Sequence, residues 1–249
     1  MKFLKDANIP EKRVDIVCID KNRDEKITEE LNFLGINIID TEGAEGINSP
    51  IKSHADVVLH HLGENRFVVE PTVFEHFKKA FEGMGAKLII GTSYLETEYP
   101  KDSLYNGARI GNSVFFKALD KSILDYYEKI YTRKIKVNQG YSKCSIAVCD
   151  KNSFITSDEG IYKAGKENGF NVLKIRPGYI KIKEYDYGFI GGATGLISND
   201  ILAFAGDFLT HPDNEEIKSF LRNINVYPYS LSKGELSDIG SIIPIGYLE

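Results

Sequence analysis

The sequence has few cysteines, with only Cys18, Cys144 and Cys149 among its 249 residues. A small, odd number of thiols excludes a disulfide framework and is typical of a reducing compartment. With 42% hydrophobic and 27% charged residues, the composition also excludes a disordered or collagen-like chain. We therefore expect a globular protein with free thiols and an apolar core.

Signals for membranes and nucleic acids are also lacking. No run of eighteen apolar residues occurs, and the charged segment from Met1 to Asn8 has no apolar stretch typical of a leader. Lys and Arg number 31 against 36 Asp and Glu, and they form no basic cluster. We expect a cytoplasmic protein that binds neither nucleic acid nor membrane. The sequence leaves the oligomeric state open.

No linker rich in Pro, Gly or Ser divides the chain, so a single domain over residues 1–249 is predicted. Instead, a diverged repeat runs through it. Four segments read as an apolar strand, a polar tip and a second apolar strand: ADVVLHHLGENRFVVE, LYNGARIGNSVFFKAL, CSIAVCDKNSFITS and GATGLISNDILAFAG. The tips contain Asn65, Asn112, Asn152 and Asn199, a residue that tolerates left-handed turn conformations, so each segment predicts a β-hairpin.

A helix and a further strand are predicted after each hairpin. Thr72 with Glu75 has the spacing of a capping box, and Asp120 and Asp213 are expected to cap two later helices. A weaker helix is predicted over Asp158–Asn168. The strands that follow are predicted at Lys87–Ile90, Ile135–Val137, Asn171–Ile175 and Asn225–Tyr229. The repeated unit is therefore strand, strand, helix, strand.

The two ends of the chain each supply part of a fifth unit. Strand Val14–Asp20, a helix containing Ile27 and Leu31, and strand Ile36–Ile39 lack a first hairpin strand, and residues 240–245 resemble one. A unit shared by both termini predicts a closed ring of five modules. The alternative is an open α/β sandwich whose similarity reflects only generic hairpin and helix signals.

This layout resembles the pentein fold of guanidino-group modifying enzymes, a five-module ββαβ α/β-propeller. The run YSLSKGELSDIGSIIPI is similar to the closing stretch of that superfamily, and KCSIAVCDKNSFITSDEGI and YGFIGGATG resemble an uncharacterised family with the same fold. The superfamily includes arginine deiminases, dimethylarginine dimethylaminohydrolases and amidinotransferases. The resemblance implies a small guanidino or amidino ligand in a central channel. We expect no cofactor.

The catalytic pattern of the superfamily is broken here. In catalytic penteins a cysteine near the C-terminus attacks the guanidinium carbon, a histidine transfers protons and carboxylates hold the cation. Ser241 lies at or near the nucleophile position, Lys143 lies roughly at the histidine position, and Asp56 retains an acidic position. A serine without a neighbouring base is a poor nucleophile. The resemblance therefore leaves two hypotheses, a C–N hydrolase or amidinotransferase-like enzyme and a non-catalytic binding module.

Residues at the start of each module are expected to face the channel. Cys144 and His54 are the catalytic candidates, and the substrate-binding candidates are Asp56, Asn106, Lys143, Thr194, Asp238 and Ser241. His54 and Asp56 are two residues apart and would share one face of a strand. The ammonium of Lys143 would lower the pKa of the Cys144 thiol, although adjacent strand residues point to opposite faces. A buried, inert thiol is the alternative.

Two further sequence patterns have residues typical of ligand sites. Cys144 and Cys149 differ by five positions and would lie on opposite strand faces, so no metal site is expected. The glycines of GFIGGATG fit no phosphate-loop spacing, and close backbone packing at the ring centre is predicted for them instead. Cys18 and Cys149 are expected in the core.

Overall fold

A computed structural model describes residues 1–47 and 50–248. Its strands are β1 (Lys2–Phe3), β2 (Ile16–Ile19), β3 (Asn37–Asp40), β4 (Leu59–Gly63), β5 (Arg66–Val69), β6 (Lys87–Ile90), β7 (Ala108–Ile110), β8 (Ser113–Phe116), β9 (Arg133–Lys136), β10 (Ala147–Val148), β11 (Ser153–Thr156), β12 (Asn171–Lys174), β13 (Thr194–Ser198), β14 (Ile201–Phe204), β15 (Tyr227–Ser230) and β16 (Ile243–Tyr247). Its helices are α1 (Glu25–Phe33), α2 (Ala55–Val58), α3 (Phe74–Ala80), α4 (Lys121–Lys129), α5 (Ser142–Ser145), α6 (Glu159–Glu167) and α7 (Asn214–Asn223).

The strands form five small sheets in the described part of the chain. Four have the orders β4-β5-β6, β7-β8-β9, β10-β11-β12 and β13-β14-β15. In each, the first two strands are an antiparallel hairpin and the third runs parallel to the second. A helix connects the second strand to the third, as a parallel crossover requires. The predicted unit of strand, strand, helix and strand is confirmed.

Both termini complete the fifth sheet, whose order is β1-β16-β2-β3. Strand β16 is antiparallel to β2, with Ile243 opposite Cys18, and β2 is parallel to β3. The shared module is therefore confirmed, and the open sandwich is not formed. Strand β1, which pairs with β16 through Lys2 and Phe3, is an addition that the sequence pattern did not predict.

Burial decreases from the hairpins to the third strands. Strands β8, β11 and β16 are buried along their whole lengths, whereas β9 and β15 are mostly exposed or half-buried. Apolar faces of the helices close each module, as with Ile123 and Tyr127 of α4. The hairpins thus make the core, and neighbouring modules pack through contacts such as Phe115 edge-on to Phe154, 5.4 Å between ring centroids.

Two predicted helix caps are wrong and one is confirmed. Pro71 opens a 3₁₀ turn capped by Glu70, whose carboxylate accepts from the Thr72 N–H at 2.7 Å, so the capping box of Thr72 and Glu75 does not form. Asp213 precedes α7 but bonds to Arg176 instead of the helix. Asp120 caps α4 as expected, and Asp158, for which no cap is predicted, caps α6.

The predicted third strands are shifted at two places. The strand expected over Asn225–Tyr229 begins at Tyr227, because Asn225 has a left-handed backbone with φ of 57° that ends the preceding helix. The strand expected over Ile135–Val137 begins earlier, because Arg133 already pairs with Ser113.

All three cysteines are free and buried. Within the described ranges, no helix has the length and apolar character needed to cross a bilayer.

Candidate active site

The five module starts are joined in a closed circle of hydrogen bonds. The Asp56 N–H donates to Gly240 O at 3.1 Å, the Ser241 N–H to Gly192 O at 2.8 Å, and the Gly192 N–H to Cys144 O at 2.8 Å. The circle is completed by the Lys143 N–H, which donates to Asn106 O at 3.2 Å, and by Asn106 Nδ2, which donates to Asp56 O at 3.0 Å. The candidate residues are therefore brought together by the ring itself.

Short helical turns, not strands, carry two of the module starts. His54 precedes α2, and Asp56 lies in its first turn, so the prediction that they share a strand face is wrong. Lys143 and Cys144 lie inside α5. Successive residues of a helical turn are about 100° apart, whereas those of a strand point in opposite directions. Both Lys143 and Cys144 can therefore reach the ring centre.

Asp56 is the centre of a buried polar network. Its Oδ2 accepts from Cys144 Sγ at 3.0 Å and lies 2.5 Å from Ser241 Oγ. Asn106 Nδ2 also donates to Cys144 Sγ, at 3.2 Å, and Asn106 Oδ1 accepts from the N–H groups of Lys143 and Cys144. Lys143 Nζ donates to Ser241 Oγ at 2.9 Å. Five of the predicted residues thus form one hydrogen-bonded unit.

Electrostatics oppose the predicted activation of the thiol by Lys143. Burial, followed by the charges of Asp56 and Asp238, raises the pKa of Cys144 well above its usual value. Burial also lowers the pKa of Lys143 and raises that of Asp238. The neighbouring carboxylates outweigh the ammonium, so the prediction of a lowered Cys144 pKa is wrong. In this state of the site, Cys144 is a neutral thiol that donates to Asp56.

A pocket of about 240 Å³ opens beside this network. Its polar lining consists of His54, Cys144, Asp238 and Asp102, and its walls are Ile51, Val57, Tyr141, Ile182, Tyr185, Tyr187 and Phe189. The His54 ring lies between two carboxylates, with Nε2 3.7 Å from Asp20 Oδ2 and Nδ1 3.7 Å from Asp238 Oδ1. Cys144, although only 3% exposed, borders the cavity.

The predicted residues divide into three groups. Cys144, His54 and Asp238 line the pocket, and the other members of the polar network are buried behind Cys144. Thr194 belongs to neither group, because its hydroxyl donates to Ile190 O at 2.8 Å in the wall of its own module. The Thr194 hydroxyl therefore bonds to the backbone of its own module, and Thr194 does not line the pocket.

A metal ion could be held by three of these side chains. A ring nitrogen of His54, a carboxylate oxygen of Asp56 and Sγ of Cys144 lie within 4.8 Å of one another, and this mixture of donors suits zinc. Asp56 Oδ1 is buried and has no hydrogen-bond partner among the described residues. Spacing arguments on Cys144 and Cys149 could not find this group, since its members come from two modules. The absence of a resident metal stays a prediction.

The aromatic wall was missed by the sequence reasoning. Tyr185, Tyr187 and Phe189 lie in the long connection between β12 and β13, and Tyr141 and Asp102 come from other loops. A clustering of aromatics in a connection without regular structure was the available signal, because long ordered loops in compact domains are often functional.

Close packing of the glycine run is confirmed. A Cβ on Gly191 would overlap the backbone carbonyls of Lys143 and Ile146, and one on Gly192 would overlap the Asp238 carboxylate. Only a residue without a side chain lets the module of β13–β15 approach this closely to the module of β10–β12 and to the module shared by the termini. The glycines therefore bring Asp238 to the pocket.

Comparison with known proteins identifies the family. The family model described as "Family of unknown function (DUF6873)" matches residues 18–243, which is most of the chain. The chain belongs to the DUF6873 family. A search of curated proteins found no match for this DUF6873 chain.

Solved structures show the fold of this DUF6873 chain. Agmatine deiminase from C. jejuni is 12% identical with a TM-score of 0.58, covering 97% of both chains. Inosamine-phosphate amidinotransferase from Streptomyces griseus is 8% identical with a TM-score of 0.57, covering 99% of this chain and 98% of its own. DDAH from Pseudomonas aeruginosa, complexed with citrulline, is 9% identical with a TM-score of 0.54, covering 92% and 96%. At these identities the likeness shows the fold, and the fold is that of the penteins.

Proposed function

We propose that this protein binds a small guanidino or amidino cation in the pocket and cleaves or transfers its C–N bond, with Cys144 as the nucleophile. The observation that supports this most directly is the convergence of Cys144 Sγ, His54 and Asp238 at one end of a pocket, with Asp56 Oδ2 3.0 Å from the thiol. A nucleophile, a base and anionic groups are the parts that such chemistry requires.

The charge of the site favours a cation. Asp20, Asp56 and Asp238 are buried around His54 and Cys144, and Lys143 interacts with Asp56, Cys144 and Asp238 from behind the network. Planar guanidinium and amidinium groups pair with carboxylates through two parallel N–H donors. Several proteins of similar fold are named for such chemistry, including an agmatine deiminase and amidinotransferases. These names suggest the chemical class of the ligand.

The cation itself would activate the thiol. Burial raises the pKa of Cys144, and the charges of Asp56 and Asp238 raise it further, so a positive charge bound beside these groups lowers it. The same cation lowers the raised pKa of Asp238 and offsets the cost of its burial. The thiol then becomes reactive only when the pocket is occupied, so an empty site is protected from adventitious alkylation.

The reaction proceeds in two displacements. The thiol proton passes to His54, the Sγ electron pair forms a bond to the guanidinium carbon, and a C–N bond breaks with its electron pair on the departing nitrogen, which takes the proton from His54 and leaves as ammonia. Water then bonds through its oxygen to the carbon of the S-amidino intermediate and gives one proton to His54. The S–C bond breaks with its electron pair on sulfur, His54 returns the proton to sulfur, the second water proton leaves with ammonia as ammonium, and a ureido product is released. In amidino transfer the donor amine leaves in place of ammonia, and an acceptor amine takes the place of water.

A non-catalytic ligand-binding module is the second candidate. It is favoured by the neutral, 3% exposed thiol and by the replacement of the expected nucleophile with Ser241, which is fully buried and bonded to Lys143. This candidate predicts that guanidino compounds bind without turnover and that Cys144→Ala leaves their affinity unchanged.

Alkylation tests the cation-activated thiol. At neutral pH, 2-chloroacetamidine is expected to alkylate Cys144 at least tenfold faster than 2-chloroacetamide, because only the former carries the activating cation. Mass spectrometry of the digested protein gives the modified residue. Cys149→Ala provides a matched control, since Cys149 is an equally buried thiol outside the pocket.

Turnover decides between the two candidates. We expect guanidino compounds to yield a ureido product, or an amidino-transfer product when an acceptor amine is supplied, and Cys144→Ala to abolish it. Equal labelling of Cys144 by both reagents, together with no product from guanidines, would overturn the enzyme hypothesis. Binding that survives Cys144→Ala without product would establish the module.

A further inference from the structure

We propose that Asp102 is a second anchor of the pocket and binds an ammonium group, so that the ligand is a guanidine or amidine whose other end carries an amine and no carboxylate. This inference rests on the proposed function, because it names the class of cation that the same pocket takes. It starts from Asp102, a residue that the repeat pattern did not select.

Asp102 has one satisfied and one unsatisfied oxygen. It lies in a 3₁₀ turn, Lys101–Ser103, and its Oδ2 accepts from the Tyr141 hydroxyl at 2.5 Å. Its Oδ1 is buried and has no hydrogen-bond partner in the described part of the chain. Burial and the Asp102 carboxylate raise the pKa of Tyr141, so Tyr141 remains a neutral donor. A buried carboxylate oxygen without a donor is costly, and an ammonium from the pocket would remove that cost.

The Asp102 carboxylate is separate from the groups that act on the Cys144 thiol. Asp56 and Asp238 are the carboxylates that act on the Cys144 thiol, whereas Asp102 acts on the hydroxyl of Tyr141. Tyr141 lies immediately before α5, the turn that contains Cys144, and its ring extends from there to Asp102. A ligand with its guanidinium at Cys144 would therefore extend past the Tyr141 ring to Asp102.

The lining also disfavours a carboxylate on the ligand. Among the described residues that line the pocket there is no lysine or arginine, and Lys143 Nζ is bound to Ser241 behind the network. An α-amino acid would bring a carboxylate with no cation to pair it, near Asp102 and Asp238, at a cost of desolvation and repulsion. Aromatic faces such as those of Tyr187 and Phe189 suit the methylene chain and the cation.

Three compounds that share a four-carbon chain test the inference: 4-guanidinobutylamine, butylguanidine and 4-guanidinobutanoate. Their dissociation constants are measured by calorimetry on the full chain carrying Cys144→Ala, which prevents turnover. The amine should bind roughly ten- to a hundredfold tighter than butylguanidine, the range for a hydrogen bond between charged groups. The carboxylate should bind more weakly than butylguanidine.

Variants assign the preference to Asp102. Asp102→Asn should reduce the ratio of the affinities for the amine and for butylguanidine to about one, by weakening binding of the amine much more than binding of butylguanidine. Asp186→Asn is the matched control, because Asp186 is exposed in the aromatic connection and does not line the pocket. Tyr141→Phe keeps the carboxylate and should keep the preference, which guards against a failure of Asp102→Asn to fold.

Each outcome separates this inference from the proposed function. If butylguanidine binds as tightly as the amine, or if the carboxylate binds best, the second anchor is wrong while the guanidino site stands. Retention of the amine preference in Asp102→Asn also overturns the anchor. If none of the three compounds binds and 2-chloroacetamidine shows no selectivity for Cys144, the proposed function itself fails.

Discussion

The site has two regions that are built in different ways. The polar network of Asp56, Asn106, Lys143, Cys144 and Ser241 is fully buried and is fixed by hydrogen bonds between module starts. The aromatic wall comes from loops, and its tyrosines at 185 and 187 are about half exposed. The difference indicates that the ring determines what chemistry is available, whereas the loops determine which molecule reaches it.

The network also accounts for the departures from the pentein pattern. Lys143 and Ser241, which the resemblance to penteins places near the expected histidine and nucleophile positions, are hydrogen-bonded to each other at 2.9 Å. The two replacements therefore form one unit, in which the ammonium offsets the charge of Asp56 through the serine hydroxyl. The thiol lies in the third module, beside this unit and facing the pocket.

Removal of Asp56 should have the largest effect. Asp56→Ala removes the acceptor of the Cys144 thiol and the Ser241 hydroxyl and also the carboxylate that acts on Lys143, and each buried donor left without its acceptor costs about 1–3 kcal/mol. Urea denaturation measures the free energy of unfolding. The double variant Asp56→Ala with Lys143→Met should lose clearly less than the sum of the two single losses. Additive losses would show that the two charges are independent.

The ring could be predicted from the sequence because its signals are local. Hairpin tips such as Asn65 and Asn112 recur in four of the five modules, together with apolar periodicity, and the close packing of Gly192 follows from its place at a module start. The short turns α2 and α5 could not be predicted, because a four-residue helix has no periodicity of its own. The raised pKa of Cys144 depends on Asp56 and Asp238, which approach it from distant modules.

Alkaline pH should lower the free energy of unfolding through the buried thiols of the core. Burial raises the pKa of Cys18, Cys144 and Cys149 above the ordinary value of 9.0. A raised pKa in the folded state means that stability is complete below pH 9 and is lost as pH rises, since only the unfolded chain then ionises. Each thiol should therefore contribute a loss of about 1.4 kcal/mol per pH unit above pH 9.

Urea midpoints between pH 9 and 10 measure this loss. Cys149→Ala removes one of the three buried thiols, so it should reduce the dependence of the unfolding free energy on pH by the contribution of one thiol. A slope that the cysteine substitutions leave unchanged would place the titrating groups elsewhere.

The smallest effect on stability, with a clear effect on binding, is expected in the aromatic wall. Tyr187 is 44% exposed, so Tyr187→Ala should change the free energy of unfolding by no more than about 0.5 kcal/mol. Loss of its face from the pocket should weaken binding of 4-guanidinobutylamine roughly two- to fivefold, the scale of an exposed cation–π contact. Tyr227→Ala, which removes a 55% exposed tyrosine from β15 outside the pocket, should change neither quantity. A large loss of stability in Tyr187→Ala would instead mean that the wall is part of the ring's scaffold and that the two regions cannot be varied separately.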